Sequence, residues 1–137
     1  MSTNEARVYF ALDGDIDPEE VTNVLEITPS EIRRKGDRMG GRLPKHDSWI
    51  LSTDKIADDY VDIYELSKEI VDQLKGKKDL VNLARNRFSL TTRLVVVLRI
   101  ATNDEIPTPA MGFDPEVVRF LGEVGAFIDI DTYRNSP

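Results

Sequence analysis

The sequence predicts an α+β domain in which two strand–helix–strand units share one antiparallel sheet, and three observations carry that prediction. The first is a phrase that occurs twice, Ile16-Asp17-Pro18-Glu19-Glu20-Val21 and Phe113-Asp114-Pro115-Glu116-Val117-Val118, about a hundred residues apart. Each copy reads as a helix start. The Asp carboxylate accepts unpaired N–H groups of the first turn, Pro at the first helical position loses no hydrogen bond, and the following Glu faces the positive end of the helix. The second observation is strict apolar alternation before each phrase, at Val8, Phe10 and Leu12 and again at Leu94, Val96, Leu98 and Ile100. The third is a pair of short strand patterns after the phrases, Ser48-Trp49-Ile50-Leu51-Ser52 and the run containing Ala126, Ile128 and Ile130.

The elements follow in order. Arg7 to Leu12 is a strand, Asp13-Gly14-Asp15 a turn, and Pro18 to about Leu25 a helix that buries Val21, Val24 and Leu25. Thr28-Pro29 ends it, because the residue before a proline is forced out of helical geometry. Arg33 to His46, with Gly36, Gly40, Gly41 and Pro44, reads as a basic loop. Ser48 to Ser52 is short with polar flanks, which suits a sheet edge. Ile56, Tyr60, Ile63, Ile70 and Leu74 recur at three- and four-residue steps, so the strongest helix is expected from Ile56 to Leu74, with Gly76 ending it. A shorter helix holds Leu80, Leu83 and Ala84. Thr92 to Ala101 is the best strand, with Arg93, Val95, Val97 and Arg99 on its second face. A helix from Pro115 to about Glu123, closed by Gly122 or Gly125, leads into the last strand, where Asp129 and Asp131 point outward.

Written out, this is β-α-β, two inserted helices, then β-α-β. It resembles a ferredoxin-like four-stranded antiparallel sheet built from two β-α-β units with two helices inserted between them. The second sheet face, with Tyr9, Ala11, Ile50, Val95 and Val97, is too apolar to be left wet, and the long helix is expected to cover it, a second subunit being the alternative.

The 137 residues fit a single domain, 1–137, and 40% hydrophobic with 31% charged residues is an ordinary globular composition. The absence of cysteine excludes a disulfide framework and a thiolate zinc site. The first residues carry no signal pattern and no apolar run approaches a membrane span, so a cytoplasmic, non-membrane protein is expected. A net charge of −7 argues against a nucleic-acid partner. The charge is uneven, however: residues 33 to 46 carry +5 and the remainder −12.

Few motifs carry chemistry. Asp13-Gly14-Asp15-Ile16-Asp17 opens like a calcium loop, but Pro18 stands where such a loop needs Gly and Val24 where it needs Glu, so it reads as turn and cap. His46-Asp47-Ser48 has the letters of a hydrolase triad, yet adjacent residues cannot converge as triad members do, and His46 is the lone histidine. Neither a metal nor a cofactor is called for. The basic loop is the best candidate: Gly-rich backbone can turn N–H groups toward an anion, and arginines can hold phosphate or carboxylate bidentately. Arg33, Arg34, Lys35, Arg38 and Arg42 are the candidate binding residues, together with Trp49, which fills the core or walls a pocket behind the loop. Asp129, Asp131 and Tyr133 line one face of the last strand, where the aspartates could pair with Arg93 or Arg99.

Several stretches together resemble the bacterial family DUF4279, a domain of unknown function. They are Gly14-Asp15-Ile16-Asp17-Pro18 with Val21-Thr22 and Leu25, Ile27-Thr28-Pro29, Arg34-Lys35-Gly36-Asp37, Trp49-Ile50-Leu51 and Ile130-Asp131-Thr132-Tyr133. The resemblance implies bacterial origin and assigns no activity. The residues themselves favour a non-enzymatic binding module, monomer or homodimer, whose basic loop takes an acidic protein or a small anion; toxin neutralisation, as by an immunity protein, is one concrete form. The alternative is an enzyme using carboxylates and arginines on the sheet face, with Asp129, Asp131 and Arg99 as its groups.

Overall fold

A computed structural model describes residues 3–36 and 45–135. The chain runs through β1 (Asn4–Gly14), α1 (Pro18–Leu25), β2 (Glu31–Arg33), β3 (Asp47–Ser52), β4 (Ile56–Asp58), α2 (Ile63–Leu74), a 3-10 turn (Lys75–Lys77), α3 (Lys78–Phe88), β5 (Thr91–Ala101), α4 (Pro115–Glu123) and β6 (Phe127–Asn135). Among the described residues six strands form one sheet in the order β2-β3-β1-β5-β6, with β4 paired to the start of β1. The sheet is mixed: β1 is antiparallel to β3, β4 and β5, whereas β5 and β6 are parallel.

This corrects the four-stranded antiparallel ferredoxin-like expectation. The first crossover does not end in β3. It ends in β2, which pairs antiparallel to β3 and therefore runs with β1, so β3 is inserted between the two parallel strands as in a split β-α-β unit. Glu31-Ile32-Arg33 is too short and too polar to show alternation, and without it Ser48–Ser52 looked like an edge. The second unit, β5-α4-β6, is a direct parallel crossover that adds β6 outside the antiparallel strands.

Both repeated phrases do start helices. The Asp17 carboxylate accepts from Glu19 N at 3.1 Å and that of Asp114 from Val117 N at 2.9 Å, with Pro18 and Pro115 following. The expected long helix is shorter than its apolar spacing suggested. Ile56–Asp58 is strand, Asp62 caps the helix by accepting from Tyr64 N at 2.9 Å, and Tyr60 lies outside it, 77% exposed. A new cap and a ladder with Asn4–Ala6 outweigh a periodicity that only two of its residues supplied.

The described helices all pack on one sheet face. Val8, Phe10, Leu12, Trp49, Leu51, Leu94, Val96 and Leu98 form one core with Val21 and Leu25 of α1, Ile63, Ile70 and Leu74 of α2, Val81 and Ala84 of α3, and Val117, Phe120 and Leu121 of α4. The second face is therefore not covered by α2 as expected. Tyr9, Ala11, Ile50 and Val95 form a separate small cluster there, beside Val97. Arginines lie over it: the guanidiniums of Arg7, Arg33 and Arg93 sit 4.9, 5.8 and 5.8 Å from the Tyr9 ring centroid. Their aliphatic stems and cation–π contacts shield apolar surface that a helix would otherwise cover. Among the described residues no helix is long and apolar enough to cross a membrane.

Candidate binding site

A concavity of about 870 Å³ opens at the end of this arginine-covered face, where β1 finishes and β3 and β5 begin. Strand order places its walls. Arg33 of β2 and Lys45, His46 and Ser48 at the start of β3 lie on one side, Tyr9 and Asp13 of β1 with Thr91 and Arg93 of β5 in the middle, and Phe127, Asp129 and Asp131 of β6 on the other. Strands spaced about 4.8 Å apart put roughly 19 Å between the β2 and β6 walls. Apart from Asp15, which lines the cleft near Lys35, the charges of its two walls are divided, with cations on the β2–β3 side and carboxylates on the β6 side, so the cleft is dipolar.

Its centre is a bonded cluster. Arg93 Nε donates to Asp13 Oδ2 at 2.6 Å, Arg93 Nη2 to Asp13 Oδ1 at 3.4 Å, and Ser48 Oγ to Asp13 Oδ1 at 2.5 Å. Burial opposes the charge on Arg93, but the hydrogen bond and the charge of Asp13 outweigh it and raise its pKa further. Arg93 stays cationic and is held in place. Asp47 fixes the neighbouring loops, accepting from Ile16 N at 3.1 Å and Lys35 N at 2.8 Å.

The sequence-predicted residues are only partly brought together. Arg33 reaches the cleft and also pairs with Glu31 at 3.0 Å. Arg34 turns to Asp17 at 3.0 Å, reinforcing the α1 cap, and Lys35 lies 3.9 Å from Asp15. The Glu19 N–H and then Arg34 hold the Asp17 carboxyl below its ordinary pKa. Arg38 and Arg42 lie outside the described residues. Trp49 faces the helices, wholly buried, and donates from Nε1 to Thr22 Oγ1 at 3.0 Å; it is part of the core on the side away from the cleft. Of the alternative catalytic set, Asp129 and Asp131 line the cleft, while Arg99 stacks on Tyr133 at 4.8 Å and lies 3.9 Å from Glu5. Asp129 and Asp131 stand beside Val95 and Val97, because register sets Arg93 opposite Phe127 and Arg99 opposite Tyr133. Among the described residues no group of three or more His, Asp or Glu side chains is placed to hold a metal ion.

Sequence reading passed over Asp13, Tyr9 and Arg93 as site residues. Their signal was available: they are polar or amphipathic groups set into the apolar alternation of the two best strands, and all three fall on the same face once β1 and β5 are paired. No curated protein and no solved structure gives a significant match to this chain. The profile of the family described as Domain of unknown function (DUF4279) matches residues 4–135, and the chain belongs to that family.

Proposed function

We propose that this member of the DUF4279 family is a non-catalytic binding module of the cytoplasm whose open sheet face takes a segment of a partner protein, with the partner's acidic groups at Arg33, Lys45 and His46. The observation that carries this reading is the dipolar cleft beside a sheet face lined with arginines. Its cations come from two strands and an adjoining turn, and Arg33 is held over Tyr9 rather than extended into solvent. A guanidinium fixed over a ring and already oriented by Glu31 loses little freedom when it meets a carboxylate. Toxin neutralisation is one form such a module takes, the partner being the acidic surface of a toxin.

The test is titration of isotope-labelled protein with a decaglutamate peptide, followed through backbone amide shifts. Shifts at Arg33, Lys45, His46 and Ser48, absent with a decalysine peptide and weakened about tenfold in affinity by Arg33→Ala with Lys45→Ala, are the expected result. Equal affinity in that folded variant would remove the cationic wall as the site.

A further inference from the structure

We propose that the outer edge of β6 takes an extended segment of a partner protein, alternating basic and apolar residues, as an added strand of the sheet. Among the described residues β6 pairs only with β5, so the other side of a nine-residue strand presents unpaired backbone N–H and C=O groups. Such an edge is a template for strand addition unless something blocks it. β6 carries neither lysine nor proline.

Its side chains point to the chemistry of the added strand. Ile128 and Ile130 align with Leu94 and Val96 on the helix-covered face, yet they are 39% and 41% exposed because the core stops one strand short of them. A strand laid along β6 would cover them with its own apolar residues. On the opposite face Asp129 and Asp131 stand beside Val95 and Val97, with Asp129 within electrostatic reach of Arg93, whose hydrogen bonds go to Asp13. Alternate residues of the added strand meet these two carboxylates, and basic side chains there match them in charge.

The same carboxylates select against a second copy of this chain. An antiparallel pairing of two β6 edges that sets Ile130 beside Ile130 puts Asp129 opposite Asp131 twice, and a shift by one residue on each strand puts Asp131 opposite Asp131. Like charges directly opposite are destabilising. In these registers the edge disfavours its own copy, whereas basic side chains on the added strand match the two carboxylates. Asp129 and Asp131 also form the far wall of the cleft, but strand addition along β6 uses none of the residues of its cationic wall.

The experiment uses the full chain and a fluorescent nine-residue peptide of alternating valine and lysine, read by anisotropy. Binding is expected, weakened about tenfold or more by Asp129→Lys with Asp131→Lys, and lost when the peptide is N-methylated along one edge so that its ladder cannot form. The charge-reversed protein should prefer the peptide with glutamate in place of lysine. Circular dichroism confirms that the variant is folded. Equal binding of the N-methylated peptide would reduce the effect to general attraction between charges and overturn the proposal. So would absence of binding, which would leave the two aspartates as guards against self-pairing, or a wild-type dimer by light scattering that Ile130→Asp dissolves.

Discussion

Asp13 stands at the centre of the open face, and its worth depends on keeping both partners. Arg93 and Ser48 leave its carboxylate little contact with water. Arg93→Ala strands that charge and should cost about 2 kcal/mol in urea unfolding. Asp13→Asn with Arg93→Met removes both charges and should cost less than the sum of the single changes. Asp17 gives the pH dependence at this scale. Its folded pKa lies below the ordinary 3.8, so its contribution is complete above that value and disappears as pH falls through the lower folded pKa. The difference in melting temperature between wild type and Asp17→Ala should be full at neutral pH and shrink in acid below about 3.8; a difference that grew in acid would contradict the cap.

The elements owe their limits to their ends. Asp114→Ala should cost about 1 kcal/mol in chemical unfolding, the usual loss for a helix cap, because no other described side chain accepts from Val117 N. At the other end of α4, Val124 O accepts from Arg85 Nη1 at 2.8 Å and Thr92 Oγ1 at 2.9 Å, and Glu123 O from Asn82 Nδ2 at 3.1 Å. Gly125 follows with φ +65°, and a Cβ there would meet Arg85. Gly125→Ala should therefore lose about 1–2 kcal/mol from left-handed backbone strain and disturb the Arg85 bond. A melting temperature unchanged by Gly125→Ala would show that this end of α4 tolerates a side chain. These caps are local, which is why the starts of α1 and α4 were legible in the sequence. The start of α2 was not, because the strand over Ile56–Asp58 exists only through its ladder with Asn4–Ala6, and Ile56 is exposed there rather than facing the core.

At the scale of the molecule, the described helices gather on one face of the sheet, and among the described residues the other face is held by side chains alone. Trp49 reports on the covered side. It is fully buried and bonded to Thr22, so its emission should be blue-shifted in the native state and move to the red in one step with the loss of helical circular dichroism. Separation of the two transitions would mean that β3 and the helices do not unfold together. Trp49→Ala should cost about 3–5 kcal/mol, the range for deleting a buried ring, and leave the cleft residues in place while the protein remains folded.

Sequence alone determined what adjacent residues can decide: the two Asp-Pro helix starts, the long alternating strands β1 and β5, and the basic character of residues 33 to 36 and 45 to 46. In the first two cases hydrogen bonds within one turn, or a period of two along one strand, fix the outcome without reference to distant chain, and the third is composition alone. Tertiary structure decided the rest. Strand order came from β2, whose three residues have no pattern of their own and become a strand only against Glu31↔Ile50, Ile32↔Trp49 and Arg33↔Ser48. Pairing also turned Trp49 toward the helices and set Asp13 beside Arg93, eighty residues along the chain. Helix placement did the same for β6, leaving Ile128 and Ile130 on the covered face but beyond the reach of the helices that cover it. A side chain's alternation shows only which neighbours share its face; which face is covered, and by what, depends on contacts between residues far apart in sequence.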